Sequence, residues 1–290
     1  VPHSSLVPYE VNAPLWSDGA DKQRWIMLPG LEKVRVETDG SFVFPRGTIF
    51  VKHFHAGATR RLETRLYALR DDGWRGFTYV WNDAQTDAAL IDGRVEEELP
   101  PKLARQLGTD RWTYPGRADC ASCHTAQAGY VLGFRSEQLD RVRAASSSRR
   151  AANQLDAFQA MGLFEGMART RQPWPTWEGG DDVALPEGHV RAYLDSNCAF
   201  CHRPGGSGNA KIDLRYETPL ERAFLLDEPP GQGDLGVRGA RIVVPGRPEK
   251  SLLYLRMQRT DEKGMPNLAH NSVDKHALER VARWISGLKR

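Results

Sequence analysis

The stretch Cys198-Ala-Phe-Cys201-His202 repeats, in type and spacing, an earlier run, Cys120-Ala-Ser-Cys123-His124. A C-x-x-C-H run is the attachment pattern of a c-type haem: two thiols add to the vinyl groups, and the adjacent imidazole is placed to bind the iron. The two runs use all four cysteines of the chain. A zinc site built from four cysteines would need no histidine after each pair. The sequence therefore predicts two covalently attached haem c groups, with His124 and His202 as proximal iron ligands.

Outward from the second run, Glu187 to Cys198 reads as a helix leading into the motif, and the glycine-rich loop Arg203-Pro-Gly-Gly-Ser-Gly208 follows it. Glu249 to Met257 reads as a short helix. Ser272 to Leu288 closes the chain as an amphipathic helix, with Leu278, Val281, Ile285 and Leu288 on one face and Trp284 beside them. A methionine lies between these last two helices, in Lys263-Gly-Met-Pro266. A helix bearing the haem motif, a loop with a methionine and a closing helix is the plan of a small class I cytochrome c. On that plan Met265 is the distal ligand of the second haem, and a soft thioether opposite imidazole favours the ferrous state.

Around the first run the helical pattern is shorter. Ser136 to Ala144 has an N-cap, a Ser/Arg-rich break covers Ser146 to Arg150, and Ala151 to Met161 places Leu155, Phe158 and Met161 at three-residue spacing before Gly162. Gln172 to Gly180 carries proline and glycine and reads as a connector. Met161 is the first candidate for the distal side of the first haem, with Met167, His53, His55 or no protein ligand as alternatives. Met257 reads as a helical core residue.

From Val1 to about Asp110 the pattern changes to period-two alternation broken by Pro29-Gly30, Asp39-Gly40, Pro45-Arg46-Gly47 and Asp71-Asp72-Gly73. Strands are expected at Arg24 to Leu28, Lys33 to Glu37, Ser41 to Phe44, Thr48 to Phe54, Arg61 to Leu69, Gly73 to Trp81 and Ala88 to Ile91. Short strands without intervening helices predict an antiparallel sandwich. His53 and His55 fall on one face of their strand. Asp18, Asp21, Asp83 and Asp87 lie in loops, where turn and capping duty is a better account of them than calcium binding.

The expected fold is thus multidomain α+β: an all-β sandwich over 1–110, then two mainly α cytochrome c-like haem domains over 111–180 and 181–290. Forty basic residues against 37 acidic ones give a formal charge of +3. Spread along the whole chain, that near-balance makes no case for nucleic acid or an anionic membrane as partner. No apolar run reaches the roughly 20 residues that cross a bilayer. Covalent haem attachment takes place outside the cytoplasm, so the chain is expected to be the mature or trimmed form of an exported, periplasmic protein, or one piece of a longer polypeptide.

The chain resembles a family of exported bacterial dihaem c-type cytochromes, found alone or behind a quinoprotein sugar-dehydrogenase-like propeller. The likeness is carried by Asn12-Ala-Pro-Leu-Trp-Ser-Asp18, Phe44-Pro-Arg-Gly-Thr48, Arg61-Leu-Glu-Thr-Arg65, Tyr79-Val-Trp-Asn-Asp-Ala-Gln-Thr-Asp87 and Tyr114-Pro-Gly-Arg-Ala-Asp-Cys120. It continues through Asn153-Gln-Leu155, Arg191-Ala-Tyr-Leu-Asp-Ser-Asn-Cys198, Val244-Pro-Gly-Arg-Pro248 and Trp284-Ile285. The resemblance implies an exported location, two haems and Met265 as a ligand, and it assigns no substrate. The expected function is electron relay from a redox partner, such as a quinoprotein dehydrogenase, to a terminal acceptor. The alternative from a different class is a dihaem peroxidase-like enzyme, which needs the first haem open on its distal side.

Overall fold

The computed structural model describes residues 3–57, 60–143, 151–169, 171–177, 186–268 and 270–289. The break at Ser146 to Arg150, the end of the connector and the expected boundary at 180 lie outside them. In chain order the first strands are β1 (Val7–Tyr9), β2 (Asp21–Met27), β3 (Val34–Val36), β4 (Phe42–Val43), β5 (Ile49–Ala56), β6 (Arg60–Arg70), β7 (Gly73–Trp81), β8 (Ala88–Ile91) and β9 (Val95–Glu98). Then come α1 (Pro101–Leu107), β10 (Arg111–Tyr114), α2 (Arg117–Cys123), α3 (Ser136–Leu139), β11 (Val142–Arg143), β12 (Ala152–Asn153), α4 (Gln154–Ala160) and β13 (Phe164–Glu165). Helices α5 (Pro186–Asn197), α6 (Leu252–Met257) and α7 (Lys275–Gly287) complete the list.

Every strand expected from the alternation forms, within a few residues of its expected ends. β1, β2, β5, β6, β7 and β8 make one six-stranded sheet in that order, antiparallel throughout. β3 and β4 leave it and pair with β13 in a separate three-stranded sheet, in which β13 runs parallel to β3.

The sandwich followed by two mainly α haem domains does not form. What covers the inner face of the six-stranded sheet is the segment that carries the first haem motif. Tyr9, Ile26 and Phe50 share one core with Phe134, Leu139, Leu155, Phe158 and Phe164. Phe134 lies edge-on to Tyr9 at 5.0 Å between ring centroids and tilted against Phe50 at 5.3 Å. Helices α2, α3 and α4 have seven, four and seven residues, too short to sustain a helical core of their own. They use the sheet instead.

Local chemistry explains where the short helices stop. The Asn153 side chain caps α4 by accepting from the Leu155 and Asp156 amides at 2.9 and 3.3 Å. Leu155 and Phe158 then point into the core, but the helix ends at Ala160 and Gly162 turns with φ 74°, which leaves Met161 at the surface. The three-residue spacing that groups Met161 with Leu155 and Phe158 holds only while the helix lasts.

Beyond residue 186 a separate core joins Val190 and Leu194 of α5, Leu225, Val243, and Val281, Trp284 and Ile285 of α7. The expected stripe on the closing helix is present, and the Asp274 carboxylate caps it by accepting from the Ala277 amide at 2.9 Å. Helices α5, α6 and α7 have 12, 6 and 13 residues; turns and 3₁₀ segments fill the rest, so this region is not mainly α either. Among the described residues no helix is long and apolar enough to cross a membrane.

The two cores are joined by the segment from Asn12 to Asp18. The Asn12 amide donates to the Gln138 carbonyl at 2.9 Å, and Gln138 brackets Ala13 by accepting from its amide and donating to its carbonyl, at 2.8 and 2.9 Å. On the other side the Ser196 hydroxyl donates to the Ala13 carbonyl at 2.8 Å, and the Trp16 amide donates to Asn197 Oδ1 at 2.7 Å. Asp18, 1% exposed, accepts from the Ser272 amide at 2.8 Å, the Ser272 hydroxyl at 3.2 Å and Asn271 Nδ2 at 2.9 Å.

Removing the Asp18 carboxylate strands those buried donors. An unsatisfied buried polar group costs about 1–3 kcal/mol. Asp18→Ala is therefore expected to lower stability by about 3 kcal/mol in urea denaturation, while Asp71→Ala, at a side chain 98% exposed, changes it by less than about 0.5 kcal/mol. Equal effects at the two positions would refute the bridging role of Asp18.

Candidate haem-attachment site

Helix α2 presents the first motif against the sheet, and a glycine makes the approach possible. A Cβ on Gly76 of β7 would lie 2.7 Å from both Cβ and Sγ of Cys120. A glycine inside a strand commonly marks such a contact with another backbone. The start of the helix is held by Asp119, whose carboxylate accepts from the Gly116 amide at 2.9 Å and pairs with Arg94 at 2.5 Å.

His124 follows as the last residue of the turn, its amide donating to the Cys120 carbonyl at 3.0 Å. Its Nδ1 lies 2.6 Å from the Tyr130 carbonyl. A carbonyl only accepts, so Nδ1 carries the proton and Nε2 keeps its lone pair, the tautomer that a metal-binding histidine needs. Tyr130 reaches this position with φ 59°, a left-handed conformation costly for a bulky residue and characteristic of functional sites. The imidazole ring lies over Tyr67 at 4.2 Å, and burial pushes its pKa down to about 4.

The second motif follows α5 directly. The His202 amide donates to the Cys198 carbonyl at 2.9 Å, and the glycine-rich loop folds back so that the Gly208 amide donates to the Cys201 carbonyl at 3.0 Å. A Cβ on Gly208 would sit 2.6 Å from His202 Nδ1. That nitrogen is buried and has no hydrogen-bond partner among the described residues. Gly208 closes the Nδ1 side of the ring. Burial pushes the Cys198 thiol up to about 12.

The two motifs meet. Cys123 and Cys201 lie near enough for each thiol to act on the other, which pushes the Cys123 thiol up and the Cys201 thiol down. The Ser207 hydroxyl also donates to Cys201 Sγ, at 3.2 Å. Arg203 reinforces the junction by donating to the Gln127 carbonyl at 3.0 Å.

A cavity of about 240 Å³ lies at this junction. Cys120, Cys123 and His124 line it together with Phe200 and Arg203 from the second motif. Much of the rest of its wall is apolar, with Tyr9, Phe50, Tyr67, Val131 and Trp174. Five cations also line it, namely Arg24, Lys52, Arg65, Arg135 and Arg203, against the carboxylates of Asp119 and Asp195. An apolar body with anionic groups at its edge is what such a wall accommodates, and a haem with its propionates has that chemistry.

The remaining sequence candidates lie elsewhere. Met161 and Met167 are 61% and 73% exposed and outside the cavity lining. His53 and His55 occupy the opposite face of the sheet from Phe50 and Lys52; His53 packs edge-on against Trp25 at 5.0 Å and bonds Thr64 at 2.5 Å. Met265 is half-buried in the loop before α7, its amide donating to the Arg256 carbonyl at 3.1 Å, and the next residues, Pro266, Asn267 and Leu268, line the cavity. Asp83 pairs with Arg60 at 2.6 Å. Among the described residues no three His, Cys, Asp or Glu side chains gather as a metal-ion site.

Lys52, Arg65, Tyr67 and Gly76 were not singled out by the sequence reading. Period-two alternation places Phe50 and Lys52 on one face, but only strand register brings them under the first motif. The chain matches no family model, no curated protein and no solved structure. Its likeness to exported dihaem cytochromes rests on the sequence segments alone.

The close approach at Gly76 is testable. Gly76→Ala should cost about 1–3 kcal/mol through overpacking against Cys120, read as a lower urea midpoint. Gly93→Ala, where an added Cβ meets nothing within 4 Å, should leave the midpoint unchanged. If the two variants match, α2 does not sit on β7 as described.

Proposed function

We propose that the chain is a dihaem c-type cytochrome that relays electrons outside the cytoplasm, and the placing of Cys120, Cys123 and His124 together on the wall of one cavity is the observation that carries this reading. Bound haem supplies a one-electron Fe(III)/Fe(II) couple at each motif. The protein's part is attachment, orientation and exclusion of water. Cys120 and Cys123 would hold one group and Cys198 and Cys201 the other, and the Arg203 hydrogen bond to the Gln127 carbonyl keeps the two motifs side by side. Electrons delivered to one motif then have a short path to the other.

The Tyr130 carbonyl orients His124 and keeps its Nδ1 proton in place, so Nε2 would be the nitrogen that holds the iron. Gly208 packs against the His202 ring on its Nδ1 side. The apolar wall of Tyr9, Phe50, Tyr67 and Trp174 withholds water from the first group, which favours the state of lower charge. Met265 is the proposed second axial donor at the His202 motif. The electron donor in this reading is a redox partner such as a quinoprotein dehydrogenase.

One placement favours a second reading. Met161, Met167, His53 and His55 all lie outside the cavity that His124 lines. The distal side of the first haem would then be open to a small ligand, as a dihaem peroxidase-like enzyme requires.

Denatured protein produced with a cytochrome c maturation system should retain two haems per chain by pyridine haemochrome assay, and Cys198→Ala/Cys201→Ala one. Absence of covalent haem from the parent, or two haems on the double variant, would overturn the assignment.

Axial ligation separates the two readings. Met265→Ala should abolish the weak red-edge band of Met–iron ligation and lower one midpoint potential, whereas Met161→Ala should leave the spectrum of the parent intact. Rapid cyanide binding at one haem of the parent would support the open site. Persistence of the band in Met265→Ala would place the ligand elsewhere.

A further inference from the structure

Three neighbouring strands place like charges side by side. Arg24 of β2 is directly opposite Lys52 of β5, and Lys52 is directly opposite Arg65 of β6. All three side chains line the cavity that holds Cys120, Cys123 and His124. Like charges directly across a ladder destabilise a sheet, and this row stands against an apolar wall where they are poorly screened. The arrangement calls for a counter-charge.

Arg65 has a carboxylate of its own. Glu63, with its side chain fully buried, grips Arg65 through two hydrogen bonds of 2.6 and 2.9 Å. The two carboxylates on the cavity wall serve other cations, Asp119 pairing with Arg94 at 2.5 Å and Asp195 with Arg135 at 3.7 Å. Among the described residues Lys52 makes no hydrogen bond or ion pair. Its recorded contact is the face of Phe54, 5.5 Å from the ammonium to the ring centroid. Burial and the flanking Arg24 and Arg65 push the Lys52 pKa down, and Glu63, already held by Arg65, only partly opposes them.

We propose that Arg24, Lys52 and Arg65 form a carboxylate subsite that receives the propionates of the haem attached at Cys120 and Cys123. This rests on the haem reading above and extends it to the orientation of the group. Thioethers fix one edge of the macrocycle and the cationic row fixes the carboxylate-bearing edge, so the ring has a single seating. The same cations hold the propionates ionised and, through them, set the potential of that haem. A diffusible small anion would satisfy the same chemistry, and the test distinguishes the two.

Lys52→Met keeps the length of the side chain and removes the charge. With the haem count first established as two by pyridine haemochrome, spectroelectrochemical titration should show one midpoint potential lowered in Lys52→Met and the other unmoved. Lys52→Arg should restore it. Arg24→Gln should move the same haem in the same direction, a check that survives if Lys52→Met folds poorly. Lys102→Met, at an exposed residue of α1, should move neither. Two haems with both potentials unchanged in Lys52→Met and Arg24→Gln would overturn the subsite while leaving the haem reading standing. If those variants are silent and added inorganic phosphate shifts the parent's potential, the row binds a diffusible anion and the proposal fails. Absence of covalent haem would sink the underlying reading itself.

Discussion

The structure depends on a seven-residue strap, Asn12 to Asp18, wedged between the helices that flank the two cysteine motifs. Its backbone cannot pair within itself. It takes partners instead from Gln138 on one side and from Ser196 and Asn197 on the other, and its last carboxylate is saturated by Ser272 and Asn271. Each bond is worth only about 1 kcal/mol net, yet each buried group would cost more if left alone. The asymmetry makes the strap an all-or-none bridge: the two halves meet in one geometry or expose a run of unpaired polar groups.

That bridge explains why the first motif has no domain of its own. Helices this short cannot build a core of their own, so α2 borrows a wall from the sheet. Gly76 gives the closest approach, Tyr67 backs the imidazole, and Phe50 continues the apolar surface toward Phe134. Sheet and motif are then one unit in energetic terms, because the same aromatic cluster stabilises both. The β region beside the first cysteine motif is here a wall of the cavity.

The sequence is legible where a pattern is local. Strands β2 to β8, the closing helix with Val281 and Ile285 inward, and the cysteine motifs themselves all follow from period, turn chemistry and spacing. It is illegible where geometry is set by partners far along the chain. Nothing local says that Phe134 will choose Phe50, that Gln138 will hold Ala13, or that Cys123 will face Cys201. The expectation of mainly α haem domains failed for this reason: helix signals near the motifs are real, but their lengths suit a helix leaning on a sheet. Met161 shows the same limit, since a spacing of three has meaning only inside a helix that continues.

The first cysteine motif and the cation row on the sheet line the same cavity. The first motif places two thiols and a histidine on that wall, whereas the second motif adds Phe200 and, just beyond it, Arg203. The cations stand on the sheet side, so whatever fills the space has a charged edge facing β2, β5 and β6 and an apolar body against Phe50 and Tyr67. The motif and the cation row lie far apart in the chain, and only strand register brings them to one cavity.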